Sequence, residues 1–534
     1  MDKIVVAGGG TMGAGIAFVA GKAGFEVDLI EPDAAARDRA KARVAADAER
    51  AKVPVPRINY CESVIPGTQA VAAIEAVPER LDLKRDVFRT LASALGPDAL
   101  LATNTSSLSV TEIADGIERP ERVAGLHFFN PPALMKLVEI VYTGETSDET
   151  IGRARELVAQ MEKVAVLAAD TPGFIVNRVA RPFYLQALRA YQAGAAPIED
   201  LDRLARGAGF RMGPFELMDL IGLDVNLATS ESIFERTGAE RFEPVQLQRD
   251  MVTQNRLGRK TGSGFYDYTN GPPARDDAAP APVDSVNTDE KIVIVGSGGL
   301  ALELHALLSA AYASVELWEN EDALDEIPLD TTIAIDVGDG ASDRAHAIEV
   351  LDSTLPQDAV IFADAYATDV KAAAARMQFP ERLVGYGILA SLERQRAIEI
   401  ADTDDVSDDA LELAQELFES IGRRVVLVEE SGALFLGRTV GSIVNEAVYV
   451  VEEETASPDD VDLAMQLGTN YPQGPVAWGR EIGGDRLKRI LQRLAREDGA
   501  AFAPHRALWV LDVQNPEEEP AGENEEGVVF GAQP

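Results

Sequence analysis

A histidine and a glutamate stand at a spacing that allows acid–base chemistry. His127 lies near the end of one apolar run, "GLHFFNPP", and Glu139 lies inside the next run, "LMKLVEIV". A carboxylate bonded to an imidazole fixes the tautomer of the ring and raises its basicity, so this pair would form a general base. A lone histidine in an apolar run is, however, more often a packing residue. The neighbouring polar residues must decide between the two interpretations.

A run of small polar residues favours the catalytic interpretation. The segment "LLATNTSSLSV" (100–110) is typical of a buried strand that ends in polar residues, among them Asn104 and Ser106. The next predicted strand, "VAGLHFF" (123–129), places His127 near its end. Ligands bind at the carboxyl ends of strands in an open parallel sheet, so these side chains would face one crevice.

A glycine-rich turn at the amino end predicts what that crevice binds. The segment 3–31 reads as strand, turn, helix and strand, and its turn carries G-x-G-x-x-G. The glycines permit a sharp turn, close approach of a pyrophosphate and close packing of the helix, whose N-terminus supplies amide donors. A carboxylate after the second strand would bond the ribose hydroxyls and repel a 2′-phosphate, which favours NAD over NADP. The predicted cofactor-binding residues here are Gly8, Gly10, Thr11, Met12, Gly13 and Glu31.

The base and the cofactor site together predict an oxidoreductase, because oxidation of a secondary alcohol needs a base for the hydroxyl proton beside the nicotinamide.

Residues 1 to about 268 resemble the L-3-hydroxyacyl-CoA dehydrogenase family through motifs in matching order: "GGGTMGAGIA", "IEAVPERLDLKRDVF", "TNTSSLSVTEIA", "GLHFFNPPALMKLVEIV", "DTPGFIVNR" and "GRKTGSGFYDY". The resemblance implies NAD-dependent oxidation of L-3-hydroxyacyl-CoA to 3-oxoacyl-CoA.

The same resemblance implies a role for each site residue. His127 would be the general base and Glu139 its orienting carboxylate. The remaining assignments are Ser106 as hydrogen-bond donor to the substrate oxygen, Asn177 as a positioning amide, and Glu79, Lys84 and Asn104 at the nicotinamide end of the cofactor.

Two alternatives use the same frame. One is a different β-hydroxyacid dehydrogenase that acts on a free acid, although such enzymes carry a catalytic lysine in place of the His–Glu pair. The other is a non-catalytic structural relative, which would have no need of the intact polar set.

The chain contains an internal repeat. The segment 291–319 repeats the strand–turn–helix–strand pattern, and residues from about 71 to 178 align without gaps to the second part at an offset of 260. About 28 residues after the second strand are missing from the second copy. This tandem layout resembles bacterial enzymes of the 3-hydroxybutyryl-CoA or phenylacetate-pathway 3-hydroxyadipyl-CoA type, which implies fatty-acid or aromatic-acid catabolism.

The second copy has lost the polar set as a group. At the repeat offset, the changes are Ser106 to Tyr366, His127 to Gly387, Asn177 to Gly437 and Asn104 to Asp364, while Glu139 persists as Glu399. The joint loss predicts that the second copy is catalytically inactive and that His127 is catalytic. The surviving glutamate indicates that Glu139 is also partly structural. Nucleotide binding by the second copy stays open, because Gly296, Gly298 and Glu319 persist but Ala301 replaces the third glycine.

These patterns predict an α/β fold: a Rossmann-type dinucleotide-binding domain plus an all-α C-terminal domain, with the pair repeated as a degenerate second copy. The predicted divisions are an NAD-binding domain (1–180), a helical substrate or dimerisation domain (181–268), a linker (269–289), a degenerate Rossmann-like domain (290–430), a second helical domain (431–512) and an acidic disordered tail (513–534).

Composition limits the partners. The formal net charge of −40 argues against nucleic acid, and no apolar run reaches membrane-spanning length. A single cysteine excludes an internal disulfide and fits a cytoplasmic location, and the scattered histidines give no metal-ligand spacing. A basic cluster in the segment absent from the second copy would meet coenzyme A or form a solvated helix face: Arg37, Arg39, Lys41, Arg43, Lys52 and Arg57.

The helical regions leave two further questions. Helical domains often make the dimer contact in this family, so the chain would form a homodimer or pair its own two copies as an intrachain pseudo-dimer. The glycine-rich segment 258–268 is compatible with a closing lid or with a plain turn.

Overall fold

The computed structural model describes residues 2–282, 290–337 and 344–511. The first copy begins with a parallel α/β unit. Its strands are β1 (Lys3–Ala7), β2 (Glu26–Ile30), β3 (Ile58–Cys61), β4 (Ala72–Glu75), β5 (Leu100–Thr103), β6 (Val123–Phe128), β7 (Leu137–Tyr142) and β8 (Val164–Ala169). The helices that cover them are α1 (Thr11–Lys22), α2 (Ala34–Ala51), α3 (Leu81–Ala94), α4 (Val110–Ala114) and α5 (Asp148–Gln160).

These strands form one sheet in the order β3-β2-β1-β4-β5-β6-β7-β8. Its central strands are short apolar runs buried along their whole length, because helices cover both faces of a parallel sheet. One neighbouring pair, β6 and β7, runs antiparallel. That reversal makes the connection between these strands short, and the connection is the "NPPALMK" segment.

Helices follow the sheet in the first copy. They are α6 (Val176–Val179), α7 (Arg181–Gln192), α8 (Ile198–Gly207), α9 (Pro214–Ile221), α10 (Leu223–Thr237) and α11 (Gln246–Thr253). Residues 269–282 carry no helix or strand and contact both copies: the Arg275 guanidinium is 2.6 Å from the Glu216 carboxylate, and Asp276 accepts from Arg424 at 2.9 Å. The rest of the predicted linker, 283–289, and the predicted tail, 513–534, lie outside the described residues.

The second copy repeats this plan. Its strands are β9 (Lys291–Val295), β10 (Ser314–Trp318), β11 (Ile333–Asp336), β12 (Val360–Asp364), β13 (Leu383–Gly387), β14 (Ala397–Asp402) and β15 (Arg424–Glu429). Its helices are α12 (Gly299–Ala311), α13 (Arg344–Thr354), α14 (Val370–Ala374), α15 (Asp408–Ser420), α16 (Leu434–Glu452), α17 (Pro458–Thr469), α18 (Pro475–Ile482) and α19 (Gly484–Asp498).

The segment missing from the second copy is an edge of the sheet. The second sheet has seven strands in the order β10-β9-β11-β12-β13-β14-β15. Between Trp318 and Ile333, a stretch the structure describes throughout, a short 3-10 turn stands where the first copy has α2 and β3.

Strand register corrects the ungapped alignment expected from the sequence. Ile4 pairs with Ala72 in the first sheet, and Ile292 pairs with Ile333 in the second. The offset between the copies is therefore 261 where β4 corresponds to β11. It is 260 again where β5 corresponds to β12. The shift places Asp336, rather than Ile335, over Glu75.

The two copies pack on each other reciprocally. The Ala169 amide donates to the Thr455 carbonyl at 2.8 Å, and the Glu429 amide donates to the Ala195 carbonyl at 2.9 Å. These two bonds exchange under the repeat offset, since Ala169 corresponds to Glu429 and Ala195 to Thr455. Helix α8 packs on the second sheet and α17 packs on the first, so each helical region covers the sheet of the other copy.

Helix α16 lies at the centre of this packing. It contacts α7, and, contrary to the expectation from the sequence, it is long and apolar enough to cross a membrane, but 89% of its apolar window is buried inside the protein. Burial of this kind is the property of a core helix. One continuous cluster of buried apolar side chains includes residues from both copies.

Candidate active site

The antiparallel pairing of β6 and β7 sets His127 directly opposite Glu139. The Nδ1 atom of His127 lies 2.6 Å from Oε2 of Glu139. An ionised carboxylate can only accept, so this contact favours the neutral tautomer that carries its proton on Nδ1 and its lone pair on Nε2. The ring of Phe129 packs at 4.5 Å and that of Phe174 at 5.9 Å between centroids, which limits access of water to the imidazole.

Glu139 is held by the start of α6. Its Oε1 accepts from the Ile175 amide at 3.2 Å and from the Val176 amide at 2.9 Å, and its side chain is fully buried. The turn before α6 has Gly173 at φ +81° and Phe174 at φ +48°, so the chain reverses sharply and aims these amides at the carboxylate. The carboxylate is therefore fixed on both oxygens.

Ser106 and Asn177 are brought together beside the dyad. The Asn177 Nδ2 atom donates to the Ser106 carbonyl at 3.2 Å, and the Ser106 amide donates to Glu79 at 2.9 Å. In the described part of the chain, the Ser106 hydroxyl has no hydrogen-bond partner, so it is available to a ligand. Asn104 joins the strands, because its Oδ1 accepts from the Phe128 amide at 2.8 Å.

Glu79 and Lys84 belong to a carboxylate–ammonium cluster that extends below the crevice. Partial burial opposes the charge of Glu79, but Lys84 and hydrogen bonds from Thr105, Ser106 and Ser107 outweigh it and lower the pKa of the carboxyl to about 2. The Lys84 ammonium is buried, 3.2 Å from Glu79 and 2.8 Å from Glu75. The Lys84 ammonium therefore bridges the Glu79 and Glu75 carboxylates.

Glu75 was missed from the sequence. It is fully buried, and besides Lys84 it accepts from the Thr103 hydroxyl at 2.7 Å and the Val77 amide at 2.6 Å. The corrected register shows that a buried Asp336–Arg344 pair occupies the equivalent place in the second copy. The sequence did contain a signal for this buried charge, because an acid ends the corresponding apolar strand in both copies, Glu75 in β4 and Asp336 in β11.

The glycine turn fits a dinucleotide. Gly8 has φ +112°, and a Cβ on Gly13 would stand 1.9 Å from the Gly8 carbonyl oxygen, so both positions are glycine because of the turn itself. A Cβ on Gly10 would meet no protein atom within 4 Å, which leaves room for a ligand at the start of α1, where Thr11 and Met12 lie. Glu31 closes the turn by accepting from the Gly9 amide at 2.9 Å.

A tyrosine fills the equivalent site in the second copy. The Tyr366 hydroxyl donates to Glu399 at 2.5 Å, in the place of the imidazole, and the tyrosine is fully buried. A Cβ on Gly387 would stand 2.4 Å from this ring, and a Cβ on Gly437 would stand 2.7 Å from it. The three substitutions are thus one change, since the ring needs the space that the histidine and asparagine side chains occupied.

The glutamate persists because its anchor persists. Glu399 accepts from the Phe435 and Leu436 amides at 2.8 and 3.2 Å, as Glu139 accepts from Ile175 and Val176. Burial raises the pKa of Glu399 to about 7 although these donors oppose the shift.

An arginine closes the second cleft further. Arg486 on α19 is buried, donates to Asp364 at 2.9 Å and also donates to the Ile388 and Leu389 carbonyls. The equivalent residue of α10 in the first copy is Val225, whose surface is 51% exposed. The first cleft has no such bridge from its helical region at that position.

The remaining predicted features lie near the surface. Lys41, Arg43, Lys52 and Arg57 are exposed and form no ion pair with any residue that the structure describes. Segment 258–268 is a packed turn rather than an open lid, because Asp219 accepts from the Phe265 and Tyr266 amides and Asp202 accepts from the Tyr266 hydroxyl. Residues 2–282, 290–337 and 344–511 contain no group of three potential metal ligands.

Comparisons with known proteins agree with this site. Residues 3–171 match the family described as "3-hydroxyacyl-CoA dehydrogenase, NAD binding domain", and residues 173–268 and 435–522 match the C-terminal domain of the same family. The chain is 36% identical, over 93% of its length and 94% of the relative, to 3-hydroxyadipyl-CoA dehydrogenase of Escherichia coli K12. The chain belongs to the 3-hydroxyacyl-CoA dehydrogenase family.

A solved relative has the same tandem layout. The crystal structure of a 3-hydroxybutyryl-CoA dehydrogenase from Escherichia coli K12 matches with a TM-score of 0.76 and 33% identity, over 95% of this chain and 97% of that one. A probable 3-hydroxybutyryl-CoA dehydrogenase of Bacillus subtilis is 40% identical over 50% of this chain and 98% of its own. The Bacillus subtilis protein therefore corresponds in length to about one of the two copies.

Family membership confirms the predicted activity. The protein is an NAD-dependent 3-hydroxyacyl-CoA dehydrogenase with a Rossmann-type domain and a helical domain, each of which is repeated. The free-acid dehydrogenase and the non-catalytic relative considered above are set aside by this result.

Proposed function

We propose that the first copy carries the whole dehydrogenase site, with His127 as general base, Glu139 as its orienting carboxylate, and Ser106 and Asn177 as the groups that bind the substrate oxygen. The observation that carries the proposal is the 2.6 Å contact between Nδ1 of His127 and Glu139, which favours the neutral tautomer with its lone pair on Nε2. The bond from the Asn177 amide to the Ser106 carbonyl brings two further donors together, the Ser106 hydroxyl and the Asn177 amide.

The protein's own groups move one proton. The Nε2 atom of His127 takes the proton of the substrate 3-hydroxyl, and Glu139 stabilises the imidazolium that results. Donors from Ser106 and Asn177 hold the substrate oxygen while its bond to the proton breaks. In the reverse direction the imidazolium returns the proton to the same oxygen.

NAD would be held by the glycine turn, Glu31 and the Glu79 cluster, and when bound it accepts the hydride from the substrate carbon. Glu31 would accept from the adenosine ribose, and the loop after β5 with Asn104 and Ser106, together with Glu79 that accepts from it, would face the nicotinamide end. Lys84 acts through Glu79, because its ammonium is buried beneath that carboxylate.

The test is the variant His127→Gln, since glutamine retains hydrogen bonding but cannot act as the base. We expect kcat to fall by about 1,000-fold or more, with the Kd for NADH within about two-fold of the wild-type value. Absorbance at the NADH band with acetoacetyl-CoA measures kcat, and fluorescence titration measures Kd. A His127→Gln enzyme with unchanged turnover contradicts the assignment.

We further propose 3-hydroxybutyryl-CoA or 3-hydroxyadipyl-CoA as the substrate, because the two full-length relatives carry those names. The exposed basic residues of α2 and its neighbourhood would meet the phosphates of coenzyme A. A panel of the two substrates decides between a short acyl chain and one that ends in a carboxylate, by their kcat/KM values.

The second copy is proposed to be inactive and to serve as a fixed partner of the first. Support comes from Tyr366, which fills the equivalent site, and from the reciprocal contacts between the copies. The chain would then be an intrachain pseudo-dimer, with helical domain 181–268 paired with domain 431–512. A cytoplasmic location is also proposed, because the sequence has one cysteine.

A further inference from the structure

The residue after Asn177 is anchored by the inactive copy. Arg178 on α6 is almost fully buried, and its Nε donates to Oε1 of Glu446 at 2.6 Å. Its two other nitrogens donate to the carboxylate of Glu453 at 2.6 and 3.0 Å. Both acids belong to the second copy: Glu446 lies on α16, and Glu453 follows directly after that helix. Bidentate pairs of this kind fix direction as well as distance.

Glu446 also binds a second arginine of the first copy. Arg241, in the short turn after α10, donates through Nε to Oε2 of Glu446 at 2.6 Å, and its guanidinium stacks on the Tyr449 ring at 4.0 Å. The Glu446 carboxylate therefore links α6 to the turn after α10, through Arg178 and Arg241. Burial disfavours the charge on Arg178, but Glu446 and Glu453 outweigh it, so the pKa of the guanidinium is raised.

The anchored helix controls the proposed site through two contacts. Its first turn supplies the Ile175 and Val176 amides that hold Glu139, and it carries Asn177. A displacement of α6 would therefore move the partner of His127 and the substrate-positioning amide together.

The equivalent contact on the other side of the repeat lacks this charge pairing. Arg438 corresponds to Arg178, but the positions of Glu446 and Glu453 hold Gln186 and Ala193 in the first copy. Arg438 contacts the neutral Gln186 at 3.3 Å and pairs instead with Asp498 of its own copy. The two carboxylates thus bind Arg178, whose helix α6 carries Asn177. Arg438, on the helix next to the tyrosine-filled site, has no such carboxylates from the first copy.

We propose that Glu446 and Glu453 of the second copy are positioning residues for the dehydrogenase reaction of the first copy, acting through Arg178 on α6. The inference rests on the proposed assignment of His127, Glu139 and Asn177 to the site. It gives the inactive copy a role in turnover in addition to its packing role, because an element of the reacting site is held by carboxylates from the other half of the chain.

The test uses substitutions that the molecule already carries at the equivalent positions. Glu446→Gln copies Gln186, and Glu453→Ala copies Ala193, each made in the full chain. We expect each variant to lower kcat, and both together to lower it by about 10- to 100-fold, because small displacements of reacting groups cost rates of that order. The KM for NAD should stay within about two-fold, since the glycine turn lies between β1 and α1 and neither carboxylate bonds to it.

Two controls separate positioning from general loss of stability. Asp498→Asn breaks the equivalent pair of Arg438 and should leave kcat within about two-fold of the wild-type value. Glu446→Gln in an Asn177→Ala background should cost less than it costs in the wild type, because both changes act on the same helix. Thermal midpoints show that each variant is folded. If the double variant does not fold, Glu453→Ala alone tests the proposal, because that side chain is 40% exposed.

The outcomes distinguish this inference from the assignment of the site. Unchanged kcat in folded Glu446→Gln and Glu453→Ala enzymes overturns it, as does an equal loss in Asp498→Asn or strict additivity with Asn177→Ala. A His127→Gln enzyme that keeps full activity would instead refute the proposed site itself.

Discussion

At the scale of single residues, the protein places the same glutamate in two different settings. Glu139 and Glu399 have the same strand position and the same two backbone donors. They differ in the group that binds their outer oxygen, which is an imidazole in one copy and a phenol in the other. A phenol that donates to a carboxylate has no lone pair suited to take a substrate proton near neutral pH. The partner therefore determines what each glutamate can do.

The paired variants Glu139→Gln and Glu399→Gln test this difference. A glutamine amide can turn its NH₂ toward the imidazole and cannot stabilise the imidazolium by charge, so Glu139→Gln should lower kcat by about 100-fold or more. Glu399→Gln should leave kcat within about two-fold of the wild-type value. Absorbance at the NADH band with acetoacetyl-CoA as substrate measures kcat for both variants. Equal losses in the two variants would contradict the assignment of catalysis to the first copy.

At the scale of elements, the turn between β1 and α1 contains two glycines that its backbone requires and one that it does not. Gly8 and Gly13 are required by the turn, because of a positive φ and a 1.9 Å approach. Gly10 has φ −67°, which any residue adopts, and its Cβ position is open. A Cβ there would extend into the space in which the cofactor is proposed to lie.

The variant Gly10→Ala should therefore weaken NADH binding by about ten-fold or more while the thermal midpoint of the protein without cofactor stays close to the wild-type value. Fluorescence titration and thermal unfolding measure the two quantities. The matched variant Gly298→Ala, at φ −78° in the second copy, should not change NADH affinity if that copy binds no nucleotide. A second binding site would be revealed by the loss of one equivalent of NADH in this control.

At the scale of the whole molecule, the two copies share one core. A continuous apolar cluster includes strands of both sheets and the facing helices α7 and α16. Each helical region covers the sheet of the other copy, so neither copy can unfold without exposing apolar surface on its partner. We expect the chain to unfold as one cooperative unit.

The distribution of tryptophan makes this testable without labels. All three tryptophans, Trp318, Trp478 and Trp509, lie in the second copy, whereas the proposed active site lies in the first. Urea titrations followed by tryptophan fluorescence and by residual dehydrogenase activity should have the same midpoint within about 0.3 M. Separate midpoints would show that the copies unfold independently.

The sequence by itself determined the repeat, the α/β class, the glycine turn and the identity of the polar set. These features are encoded locally: a strand–turn–helix has a characteristic spacing, and a constant offset between copies needs no coordinates. It did not determine the antiparallel pairing of β6 and β7 or the one-residue shift at β11, because register depends on the neighbouring strand.

Only the tertiary structure decided how distant residues meet. It showed that Tyr366, Gly387 and Gly437 form one compensated change, since the ring needs both glycines. It also brought Arg178 to Glu446, 268 positions away along the chain, and buried Glu75 against Lys84. Contacts of this kind arise from the packing of separate elements against each other, and no local pattern of residues specifies which charges will face across such an interface.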